Sequence, residues 1–193
     1  MRNDIIAYLQ KEIRLRCESP ANKFGIGNYY HIEAVAKNAE LLAERFGADK
    51  EIAVIAAWLH DIASITDYSL YKMHHIHGAE IAEELLNDFD YEPEKIKLVQ
   101  ECIKNHRGSV VNGKSSSEEI CVADADAISH FDSVPSLLYL AFSAKGMEYE
   151  EGVDFVVNKL KRSFLKLSDN SKEFYEEKYR RAMELLGADI DNR

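Results

Sequence analysis

Apolar residues recur at helical spacing along most of the chain, and no alternating stretch competes as a strand hairpin. Residues 2–17 read as an amphipathic first helix, followed by a loop from Glu18-Ser19-Pro20 to Gly27. A second helix, about 28–46, repeats Ile32, Val35, Ala36, Ala39 and Leu42 and stops at Gly47. Asp49 can cap a third, whose run from Ile52 to Leu59 is apolar almost all round, as in a helix buried on most sides. His60 and Asp61 follow directly. Beyond a loop around Thr66-Asp67, HHIHGAEIAEELL begins a fourth helix, and Pro93 near N1 opens a fifth that reaches about His106. Gly108 to Ser117 is a polar turn region. A sixth helix spans about 117–132, Pro135 starts a short apolar helix, and two longer amphipathic helices occupy about 148–167 and 171–186.

With 193 residues, 46% of them hydrophobic, the chain can bury one substantial core, so a single domain over 1–193 is expected. Three prolines and nine glycines suit long helices joined by short loops. The net charge of -10 argues against phosphate neutralisation on duplex nucleic acid or anionic lipid. A small anionic substrate stays open, because a bound divalent cation reverses the local field. Cys17, Cys102 and Cys121 have no CxxC spacing and read as reduced core thiols, without a disulfide framework or zinc ribbon. The first residues lack an apolar h-region, and no apolar run approaches membrane-spanning length. A soluble, cytoplasmic protein with no membrane partner is the expectation.

The strongest chemical clue is His60-Asp61 at the end of an apolar helix, where an ionised carboxylate costs several kcal/mol unless it is paired or bound to metal. Neighbouring helical side chains diverge by about 100°, yet an ion beside the helix can be reached by both. His31 shares a helical face with Val35, Ala39 and Leu42, so its imidazole points to the same core. In the segment Val122 to Ile128, Asp124 and Asp126 lie about 200° apart and should not face one ion.

Taken in order, His31, His60, Asp61 and Asp126 resemble the four-ligand motif of the HD superfamily of metal-dependent phosphohydrolases. The likeness covers roughly residues 28–132, with helices at 134–187 as a C-terminal extension. In that family the last ligand commonly stands in Ala-Asp-x-Leu, and Ala125-Asp126-Ala127-Ile128 is similar, which favours Asp126 over Asp124. The resemblance implies an all-α helical bundle and a divalent metal (Mn, Fe, Co, Ni, Zn or Mg), one or two per chain. Such an ion polarises a phosphoryl oxygen and supplies hydroxide. Members with a dinuclear centre carry one histidine in H-x-x-x-G and another before the final Asp. His74 and His106 fit those places, with Asp61 bridging and His75 and His77 as rivals for the first. His130 reads as a polar residue one turn beyond Asp126.

Phosphate chemistry also asks for fixed positive charge. Arg107 is the best-placed candidate for catalysis and substrate binding, with Lys104 as a lesser partner. The basic helix KLKRSFLKL offers Lys159, Lys161, Arg162 and Lys166, with Lys161 taken as substrate-binding. No Gly-rich phosphate loop, GxSxG turn or Cys-His pair competes. The expected function is hydrolysis of a phosphomonoester or phosphoanhydride in a nucleotide or related small metabolite. A dinuclear-iron oxygenase and a non-catalytic nucleotide-binding or signalling module stay open, as does a homodimer.

Overall fold

The computed structural model describes residues 1–107 and 116–188. They are all-α, with no strand. Helix α1 (Asn3–Glu18) leads through the proline loop to α2 (Gly27–Phe46), which ends as the glycine predicts: Gly47 takes a left-handed φ of 68°. Asp49 caps α3 (Lys50–Leu59), accepting from the backbone N–H of Glu51 at 2.9 Å and of Ile52 at 3.2 Å. Such a cap contributes about 1 kcal/mol. Every residue of α3 from Glu51 to Leu59 is buried, because α1, α2, α6 and α7 surround it. Each fully buried Ile or Leu there contributes about 1.5–3 kcal/mol, so α3 is the axis on which the other helices are hung.

The loop expected around Thr66-Asp67 is more structured than its polarity suggests. A short helix α4 (Ile62–Thr66) buries Ile62, Ala63 and Ile65, and a 3₁₀ segment, Tyr68–Met73, carries the chain to α5 (His74–Asn87). Five- and six-residue helices have too few periods for an apolar pattern to register. Helices α6 (Pro93–Asn105) and α7 (Ser117–Asp132) lie close to the expected bounds, and Gly108 to Ser115 of the polar turn lie outside the described residues.

The short helix α8 (Val134–Leu138) continues into a π-helical segment, Tyr139–Ala144, before α9 (Tyr149–Lys166) and α10 (Asp169–Leu185). Buried alanines 123, 125 and 127 let α2 and α9 approach α7 closely, and one apolar cluster runs from Ile5 to Met183. Cys17, Cys102 and Cys121 are unpaired within this core, and burial pushes the Cys17 and Cys121 thiols up to about 12. No helix of the described residues is long and apolar enough to cross a membrane.

Candidate metal centre

Helix α3 stops at Leu59 and α4 starts at Ile62, so His60 and Asp61 sit on a corner rather than within a continuous helix. Asp61 has φ -108° and ψ 9°, outside the helical well. The break lets two adjacent side chains serve one centre, which a regular 100° step would hinder.

Three imidazoles are set by the same local device. His60 follows the last residue of α3, His74 follows the 3₁₀ segment, and His106 follows α6. At such ends the carbonyls of the last turn have no helical N–H to accept. Nδ1 of each ring donates to the carbonyl three residues earlier: His60 to Ala57 at 2.7 Å, His74 to Tyr71 at 2.7 Å, His106 to Ile103 at 2.6 Å. A carbonyl only accepts, so the proton sits on Nδ1 and each Nε2 keeps its lone pair. His31 is fixed differently. The Ser129 hydroxyl donates to the Asp126 carbonyl at 2.7 Å, leaving its oxygen to accept from His31 Nδ1 at 2.9 Å.

The four Nε2 atoms face two carboxylates and one another. His31 Nε2 lies 3.3 Å from Asp126 Oδ1, His74 Nε2 lies 3.4 Å from Asp61 Oδ1, and His60 Nε2 lies 3.6 Å from Asp61 Oδ2. His74 and His106 bring their Nε2 atoms to 3.2 Å. His60 Nε2 is buried and has no hydrogen-bond partner among the described residues. Lone pairs aimed at lone pairs and carboxylates repel until a cation stands between them, so this donor set fits a divalent ion. Donor atoms within 4.8 Å of one another form three groups: His31, His60 and Asp61; Asp61, His74 and His106; and His31, Asp126 and His130. Asp61 belongs to two of them.

Charge in the centre is tightly coupled. Burial would raise the Asp61 carboxyl, but His60 first, then His74, His106 and His31, hold it well below the carboxylate range. Asp126 is likewise held down against burial, by the adjacent His31 first and then by His130 and Lys159. Burial, then His60, pushes His106 down to about 3 despite Asp126 and Asp61. The unfolded chain, with its imidazole near 6.5, takes up a proton that the fold refuses. This contribution to stability is therefore complete above pH 6.5 and is lost as pH falls toward 3. Chelator-treated protein is expected to melt at a lower temperature at pH 5 than at pH 7; equal melting at both would contradict a buried neutral His106.

Of the HHIHG histidines only His74 joins the centre. His75 meets it edge-on at 5.9 Å, and His77 pairs with Glu80 at 3.1 Å. Asp124 faces away, accepting from Ser168 N at 3.1 Å and Ser168 Oγ at 2.5 Å at the start of α10. Arg107 lines the cavity over the centre and donates to the Lys72 carbonyl at 3.0 Å. Lys104 pairs with Glu101 instead. Lys161 is a correction: it does not line the cavity, whereas Lys159 and Lys166 do. The two are seven residues apart, on one face of α9, and Lys161 is turned about 200° from Lys159. Burial lowers Lys166, Asp126 raises it, and Lys159, Arg107 and Arg162 lower it further. His130 was passed over in the sequence, yet it is buried, stacks on His31 at 4.8 Å and shares a hydrogen bond with Ser163 Oγ through Nδ1 at 3.1 Å. Its place four residues after Asp126, on the same face of α7, was the available signal.

With this geometry in view, the HD domain profile matches residues 28–130. A Clostridium beijerinckii protein is 33% identical over 106 residues, covering 54% of this chain and 66% of its own length. Ribonuclease Y of Mycoplasma capricolum is 34% identical over 99 residues, 51% of this chain but only 18% of that enzyme. Among solved structures, Bacillus subtilis YpgQ superposes with a TM-score of 0.66 at 20% identity, covering 94% of this chain and 93% of its own. YpgQ in complex with ADP gives 0.62 at 20% identity, over 95% and 98%.

Proposed function

Because this chain belongs to the HD domain family, we propose that it is a metal-dependent phosphohydrolase acting on a phosphomonoester or phosphoanhydride of a nucleotide or related small metabolite. One observation carries the reading: the Nε2 atoms of four imidazoles converge on two carboxylates and on one another, while three of the rings turn Nδ1 to a backbone carbonyl. His31, His60, Asp61 and Asp126 would hold one divalent ion. His74 and His106 would hold a second, with Asp61 shared. Such an ion polarises a phosphoryl oxygen and lowers the pKa of a water at neutral pH.

The chain's own part is positioning and electrostatics. Asp61 gathers four imidazoles around its carboxylate, those of His31, His60, His74 and His106, and Arg107 offers a guanidinium to the charge that grows on phosphoryl oxygens as the bond to the leaving group breaks. The ADP complex of YpgQ supports a small phosphorylated ligand for this fold. Ribonuclease Y shares only a fifth of its length with this chain, so its RNA substrate is not carried over.

The test is elemental analysis after purification without chelators, with phosphate release measured from nucleotides and phosphoesters in Mn, Co, Fe, Ni and Mg. One or two ions per chain with phosphate release is the expected result. Absence of bound metal under every condition overturns the proposal, and oxygen-dependent turnover without phosphate release would instead establish the oxygenase reading.

A further inference from the structure

We propose that Lys159 and Lys166 form an anion subsite for a substrate phosphate other than the reacting one, so that a diphosphate binds better than its monophosphate. The proposal rests on the phosphohydrolase reading of the centre. Its residues lie on α9, beyond the segment 28–130 matched by the family profile.

Positions 159, 163 and 166 share one helical face. Ser163, between the two lysines, bonds to His130 Nδ1 at 3.1 Å, and His130 stacks on His31. That contact ties this face of α9 to the centre, and both lysines line the cavity with His31, Asp61 and Asp126. Several lysines elsewhere have carboxylate partners: Lys37 pairs with Glu33, Lys50 with Glu40 and Glu44, and Lys95 with Glu51. Lys159 and Lys166 are half-buried, and neither makes a hydrogen bond or ion pair among the described residues.

A half-buried ammonium without a partner is costly, and three converging cations, Arg107 included, add mutual repulsion. The acids of the cavity, Asp61 and Asp126, already face imidazoles and the proposed metal. Loading the centre with a divalent ion increases the positive charge, so the missing counter-charge is a multiply charged anion lying between metal and lysines. The reacting phosphoryl group satisfies the metal and Arg107. A neighbouring phosphate satisfies the lysines, which places a phosphoanhydride across the cavity.

Titration calorimetry with αβ-methylene-ADP and with AMP tests this on the metal-replete protein. A hydrogen bond to a charged group contributes about 1.5–3 kcal/mol, or roughly ten- to a hundredfold in Kd. Lys159→Met and Lys166→Met are each expected to weaken the diphosphate analogue by about tenfold or more. AMP should weaken much less, and Lys166→Arg should recover most of the loss. Lys37→Met serves as the control for net charge. Equal affinity of the wild type for the two ligands, binding of neither, or unchanged analogue affinity in both methionine variants overturns the subsite. If the binding pattern holds but no substrate releases phosphate, the subsite stands and the hydrolase reading falls.

Discussion

In Asp61→Ala protein, metal-dependent phosphate release is expected to fall by about 10³-fold or more while the circular dichroism of the helical fold is unchanged. Asp61 is shared by two of the three donor groups, so its loss weakens both ion positions at once. Lewis-acid stabilisation of a phosphoryl transition state supplies several kcal/mol, and each 1.36 kcal/mol is a factor of ten. The fold should survive, because Asp61 sits at a corner and its only hydrogen bond from a described side chain is a long one, 3.4 Å from Ser64. Phosphate release within tenfold of the wild type, at equal metal content, would remove Asp61 from the mechanism.

The second large effect is on stability and comes from the neighbouring acid. Asp124 is fully buried and accepts both the backbone N–H and the hydroxyl of Ser168, where α10 begins. Asp124→Ala leaves those two donors without their acceptor in a partly buried site, at a cost of about 2–3 kcal/mol. For a chain of this size that is a drop of roughly 5–10 °C in Tm. Metal content should not change, whereas Asp126→Ala should lose metal. Loss of metal from Asp124→Ala with Tm intact would reverse the two roles.

Most helices were legible because their apolar period is long enough to be counted, as in α2, α3 and α6. The separation of Asp124 from Asp126 was legible for the same reason: 200° between them cannot be reconciled with one target. The short segments between Ile62 and Met73 were not, since five or six residues give too few periods to count and the burial of α4 comes in part from α1, far away in sequence. The lysine face was misread for a related reason. Apolar residues cover much of α9, and its orientation is set by tertiary partners, so that Gly152, Val156, Leu160 and Ser163 point inward. Gly152 lies under the Phe142 ring and Ser163 against His130, two contacts with no trace in local periodicity. His130 itself was read as polar because its stacking partner His31 is 99 positions away.

The proposed ligands come from α2, the α3–α4 corner, the start of α5, the end of α6 and α7, five places that in the unfolded chain lie far apart. An ion held by all of them acts as a reversible staple. A free-ion concentration a hundred times Kd would add about 2.7 kcal/mol to folding, so the lifetime of the protein would follow the supply of its metal. Starvation for that ion would then reduce the number of molecules, through unfolding and proteolysis, as well as the activity of each one.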